Sequence, residues 1–155
     1  MEAIKEESNP QHSLLHELET AINDEILAAF QYWTGYQLSA GPGKYDIDPI
    51  LQEHTQQEWE HVELLSQRVR ELGGSFCTDM SMIQRNANVW YPVTSGDVRY
   101  LADLIYDAES RAVNKYTGLA ELSRDSDPVT YDLIVKILRT ETEHRYELGV
   151  LRNTL

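Results

Sequence analysis

Glu58-Trp59-Glu60-His61 and Glu141-Thr142-Glu143-His144 are the stretches from which this chain is best read. Each is a Glu-x-x-His, and each is preceded by a single glutamate on an earlier helical segment. The separation from Glu25 to Glu58 matches that from Glu109 to Glu141 to within a single position. A Glu and a His three apart share one helix face, so each pair offers an oxygen and a nitrogen to one site. One such pair is commonly a surface coincidence. Two, each with its glutamate at matching distance, repeat a metal-ligand theme twice.

The apolar periodicity places these residues. Leu15, Leu18, Ile22, Glu25, Ala29, Tyr32 and Tyr36 recur at steps of three and four, which predicts a helix from about 13 to 39. Gly41-Pro42-Gly43 breaks it, and Asp48-Pro49 reads as an N-cap with proline first in the next helix. That helix carries Leu51, His54, Glu58, His61, Leu65 and Leu72, and ends at Gly73-Gly74. A third starts at a capping box from Thr94 to Asp97 and carries Val98, Ala102, Ile105, Glu109, Ala112, Tyr116 and Leu119. Asp127-Pro128 opens the fourth, with Ile134, Ile137, Glu141, His144, Leu148 and Leu151 on its seam.

Two short turns and one long connection, from 75 to about 94, therefore predict an all-α four-helix bundle with a crossover between its second and third helices. Fully extended, that connection spans about 65 Å at roughly 3.3 Å per residue, enough to run the bundle's length and fold a short helix on the way. Trp90, Tyr91 and the two methionines of this stretch are expected to cover apolar surface. Residues 1–12 are polar and read as a tail, leaving 13–155 as one domain.

Measured toward the end of each helix, the intervals from Glu25 to Ser39, Glu58 to Gly73, Glu109 to Ser123 and Glu141 to Leu155 agree to within a single position. All four glutamates thus meet in one layer near mid-bundle. A charged side chain on a seam costs several kcal/mol unless it is paired or metal-bound. Four carboxylates and two neutral imidazoles balance two divalent ions. Mixed oxygen and nitrogen donors suit iron or manganese, and the absence of thiolates argues against a structural zinc site. Tyr32 and Tyr116 stand two helical turns beyond Glu25 and Glu109; they can hydrogen-bond a ligand carboxylate or simply pack. His12, His16 and His54 match nothing in the repeat and read as ordinary histidines, with His54, one turn before Glu58, the least easily dismissed. Glu60, Glu63, Glu143 and Glu147 face solvent or an iron path, solvent being the simpler reading.

Composition narrows the function classes. Lys and Arg number 13 against 26 Asp and Glu, a net charge of −13 that repels nucleic acid and attracts cations. A single cysteine, Cys77, forms no intrachain disulfide. No apolar run reaches the roughly 18 residues of a membrane span, and the acidic first residues lack a signal-peptide plan, so the expected location is cytoplasmic.

The pattern of Glu25, Glu58-x-x-His61, Glu109 and Glu141-x-x-His144 resembles the ferritin-like di-iron carboxylate proteins. Glu25 through Tyr32 and Glu58 through His61 resemble the first two helices of bacterioferritins. Ala108-Glu109 through Tyr116 and Asp127-Pro128-Val129-Thr130-Tyr131 to His144 are closer to Dps-like mini-ferritins with a bacterioferritin-type centre. The resemblance implies a ferroxidase holding two Fe ions per subunit, with Mn or Zn as substitutes. Glu58 and Glu141 would bridge, Glu25 and His61 would complete one ion, and Glu109 and His144 the other. It also implies oxidation of Fe(II) by peroxide or dioxygen and storage of Fe(III) in a homo-oligomeric cage. Trp59 stands where bacterioferritins carry their haem-ligand methionine, which argues against haem. The stretch from Arg145 to Leu155 is too short for the fifth helix of 24-subunit cages, so a 12-subunit cage is expected. Rubrerythrins differ by an extra third-helix glutamate, where this chain has Ala112, and by a CxxC module. The alternatives are a di-iron or di-manganese peroxidase or oxidase without storage, and a purely structural bundle with an ion-pair network.

Overall fold

The structure, a computed structural model, describes residues 10–88 and 90–155, with side chains from Ser13 onward. Five helices follow in order: α1 (Pro10–Leu38), α2 (Lys44–Glu71), α3 (Met80–Asn86), α4 (Val98–Ser123) and α5 (Pro128–Thr154). α1 packs on α2 and α4 on α5, and the two pairs close into a four-helix bundle with α3 on the crossover. α1 already runs through residues 10–12, which the sequence assigned to the tail; residues 1–9 of that tail lie outside the described residues.

Two further helix starts differ from expectation. α2 begins at Lys44, after Gly43 at φ 83°, so Pro49 lies inside the helix and removes only one backbone hydrogen bond near its start. Asp48 instead pairs with Lys44 one turn earlier, 2.7 Å away, and accepts from the Ser39 hydroxyl. At α4 the cap is Asp97 itself, accepting from the Tyr100 N–H at 2.9 Å, while Thr94 bonds the Tyr100 hydroxyl. The α2 terminus matches the Gly-Gly reading: Gly73 at φ 77° and bonds from Gly73 and Gly74 to Arg70 and Val69 carbonyls close it. Asp127 caps α5 with Pro128 first in the helix, as the sequence indicates.

The crossover lies along α1. Glu19 accepts from the Ser75 N–H, Asp24 holds both the backbone and the carboxamide of Asn88, and Gln31 donates to the Tyr91 carbonyl at 2.6 Å. Its end is stitched to the end of α1 by Ala40 N–H to the Gly96 carbonyl. Only glycine fits at 96, since a Cβ there would lie 1.8 Å from the Leu38 carbonyl oxygen. Trp90 covers Phe30, their rings 6.0 Å apart. On the single chain Met80 is largely exposed and Met82 and Tyr91 are about half exposed, so these three cover less apolar surface than expected; α3 buries only Ile83.

Two apolar clusters fill the bundle. Leu18, Ile22, Leu65, Leu119 and Ile134 lie in one, and Ile47, Leu51, Leu101, Ile105 and Leu148 in the other. Each such side chain contributes roughly 2 kcal/mol relative to exposure. The polar layer sits between them. The α2–α5 contact is further fixed by Arg68, whose guanidinium grips both oxygens of Asp127 at 2.9 and 2.8 Å and the Thr130 hydroxyl at 2.8 Å. Asp127→Ala removes this grip and the α5 cap together, and we expect a loss of about 2 kcal/mol in chemical denaturation.

Candidate metal centre

Six residues from four helices meet at mid-bundle: Glu25 of α1, Glu58 and His61 of α2, Glu109 of α4, and Glu141 and His144 of α5. All are at most 4% exposed. Their atoms fall into two overlapping groups, Glu25–Glu58–His61–Glu141 and Glu58–Glu109–Glu141–His144, each within 4.8 Å. Glu58 and Glu141 belong to both. His61 Nδ1 lies 2.9 Å from Glu141 and 3.3 Å from Glu58; His144 Nδ1 lies 3.2 Å from Glu58 and 3.3 Å from Glu109.

These atoms face one another without bonding to one another. Among the described residues, buried side-chain atoms with no hydrogen-bond partner are Nδ1 of His54, His61 and His144, both oxygens of Glu58, and one oxygen each of Glu109 and Glu141. Every one is in this layer. Buried polar atoms are normally satisfied, so lone pairs converging on shared space form a donor set fitted to cations. Each of the two groups could hold a cation.

The tyrosines act across the repeat. Tyr32 donates to Glu109 at 2.7 Å and Tyr116 donates to Glu25, so each hydroxyl bonds the other half's glutamate. His144 Nε2–H donates to the Gln57 carboxamide oxygen at 2.5 Å, leaving Nδ1 free to face the layer. Gln57 and His54 escaped the sequence reading as parts of the site. Gln57 precedes a ligand candidate on an adjacent face and carries no signal in the repeat. His54 sat on the seam but had no counterpart. His16 is outside the layer, lining a separate cleft between α1 and the crossover, and the side chain of His12 lies outside the described residues.

Electrostatics divide the carboxylates. Burial and the facing Glu25 push Glu58 well above the usual carboxylate range, and burial with Glu58 and Glu109 does the same to Glu141. At Glu25 burial is outweighed by the facing Glu58 and His61 side chains, which hold it at about 2; Glu109 is lowered because His144 outweighs its burial. Burial opposes charge on His61 and His144, yet the surrounding carboxylates raise both. Burial and the neighbouring His144 lower His54. Burial and the carboxylates raise both tyrosines, so they remain donors.

A pH dependence follows with a definite sign. The raised groups, Glu58, Glu141, His61 and His144, are shifted toward their protonated forms in the metal-free layer, while the ligating forms are deprotonated. Metal binding therefore expels protons. Affinity should rise with pH, about tenfold per pH unit for each proton displaced. Calorimetry in two buffers of different ionisation enthalpy measures the release, and a buffer-independent heat would contradict it.

A cavity of about 670 Å³ opens between α1 and α4 beneath the crossover, with Glu25, Glu58 and Glu141 on its floor and Ala28, Ala108 and Ala112 in its walls. Small side chains at these positions leave the layer reachable from outside.

Four long helices bringing carboxylates and imidazoles to one internal layer define the class to which this chain is then matched. The chain belongs to the ferritin-like domain family, which matches residues 15–155. It is 30% identical over 100 residues to the DNA protection during starvation protein of Pyrococcus furiosus, covering 63% of this chain and 54% of that protein. The chain thus spans about half the length of that curated relative. The bacterioferritin-related protein of Bacteroides fragilis, a dodecameric thioferritin, superposes with a TM-score of 0.90 at 28% identity, over 93% of this chain and 86% of that one. Antigen TpF1 of Treponema pallidum superposes at 0.88 over 98% of this chain and 99% of that one; at 14% identity it shows the shared fold alone.

Proposed function

We propose that this protein is a ferroxidase and iron-storage protein, acting in the cytoplasm as a 12-subunit homo-oligomeric cage. Its substrate is Fe(II), bound in pairs within one subunit by Glu25, Glu58, His61, Glu109, Glu141 and His144. The convergence of unpartnered buried donor atoms in a single layer carries this reading. Glu58 and Glu141, members of both groups, would bridge the pair. Peroxide or dioxygen is the oxidant. Peroxide takes two electrons, one from each Fe(II), so holding two irons together lets both electrons leave in one event.

The chain's residues then have distinct tasks. Tyr32 and Tyr116 hold Glu109 and Glu25 in place, and Gln57 fixes His144 with Nδ1 inward. The cavity between α1 and α4 admits the oxidant, and the net charge of −13 concentrates Fe(II) near the surface. Phe30, Trp33 and Trp59, each about half exposed on the single chain, supply apolar surface that an assembly would cover. The dodecameric B. fragilis relative supports a cage of this size.

Fe(II) titration without air, followed by air, tests the reading. Saturation near two ions per chain and then uptake of many more, by a particle of cage size on gel filtration, is the expected result. Arrest at two ions on a monomer or dimer would leave an oxidase or peroxidase without storage; no binding would leave a structural bundle.

A further inference from the structure

The two sides of the layer are not equivalent. The sequence offset that carries Glu58 to Glu141 and His61 to His144 also carries His54 to Ile137 and Leu64 to Glu147. One side therefore has a histidine and a carboxylate where the other has two aliphatic side chains. His54 is 1% exposed. Its Nε2–H donates to Glu147 Oε2 at 3.0 Å, and Glu147 is half exposed. With the proton on Nε2, Nδ1 is a bare acceptor. It lies 3.9 Å from Glu109 Oε1, which has no hydrogen to give, and it is buried without a partner.

A carboxylate on the far N–H of an imidazole is the usual way a ligating histidine is oriented. A buried acceptor facing another acceptor is unfavourable unless a cation comes between them. His54, Glu109 and His144 each offer an atom within 4.8 Å of the others.

We propose that His54, held by Glu147, is a further ligand through Nδ1 to the divalent transition metal ion at the Glu109–His144 position. This deepens the dinuclear reading and rests on it. The two positions then differ by one nitrogen donor, and Ile137 supplies nothing on the opposite side. His54 and His144 stack with ring centroids 3.7 Å apart and planes 20° apart. Imidazole nitrogens bind metals near the ring plane, so the arriving ion must draw the rings out of this stack.

Co(II), titrated into the assembled protein against a competing chelator, is the probe. Wild type should take two ions per chain. In His54→Ala one binding step should weaken at least about a hundredfold, more than the loss of an orienting residue, while the other stays within twofold. Glu147→Ala, changed at the exposed end of the pair, should weaken the same step by a smaller factor. Crystals of the Co(II)-loaded wild type should place His54 Nδ1 about 2.1 Å from one ion, a metal–imidazole bond length, with the stack opened. Unchanged affinities in both variants would overturn the proposal, as would a loaded crystal with the stack intact and His54 unbound. If His54→Ala does not fold, Glu147→Ala and the crystal decide. Wild type that takes up no Co(II) removes the dinuclear reading itself, and this inference with it.

Discussion

Glu58→Ala should bind no more than one metal ion per chain, and that ion at least about a hundredfold more weakly than wild type. Loss of a residue that merely orients a ligand costs roughly 10–100-fold, and Glu58 contributes atoms to both donor groups. Its two oxygens are both buried and without hydrogen-bond partners, so no other interaction compensates for their removal. Fe(II) oxidation should fall with the loss of the pair. Glu60→Ala, an exposed position on the same helix, should leave stoichiometry at two. Glu58→Gln separates ligation from folding. Without metal it should be at least as stable as wild type, because it removes a carboxyl crowded by Glu25 from a buried site. Anaerobic titration and denaturant midpoints on the three variants measure both effects.

Stripping the metal should lower the melting temperature by about 10–20 °C. A ligand at a hundred times its Kd stabilises the folded state by about 2.7 kcal/mol, so two such ions contribute roughly 5 kcal/mol. For a domain of this size each kcal/mol shifts melting by roughly 2–4 °C. The physical origin is the layer itself, where four carboxyls lie buried side by side. Calorimetric scans after exhaustive chelation, and again after adding back Mn(II) or Fe(II) without air, should show the loss and its reversal. Equal melting temperatures would mean that protons and the two histidines already neutralise the layer.

Much of this arrangement is legible in the amino-acid order. Glu25, Glu58, Glu109 and Glu141 stand where aliphatic residues belong, at nearly equal distances from helix ends, and periodicity alone brings them to one layer. The crossover and its short helix follow from the length between Gly74 and Thr94. The tyrosines were only half legible: a step of two turns puts each on its own glutamate's face, but bonding to the opposite glutamate depends on how α1 and α4 meet. His54 was not legible as part of the centre. Its burial could be read from the seam, whereas its tie to Glu147 joins α2 to α5 far along the chain and has no local signature. The α2 start was misread because Asp-Pro looks like a cap, while Gly43 in a left-handed conformation opens the helix earlier and Asp48 serves Lys44 and Ser39.

Whether one chain holds two metal ions in a single layer is decided by anomalous diffraction from crystals loaded with Fe(II) in the absence of air. Two peaks a few Å apart are expected in every subunit, both touching Glu58 and Glu141, one beside Glu25 and His61 and the other beside Glu109 and His144. A single peak, or ions found only between subunits with this layer empty, would contradict the dinuclear centre.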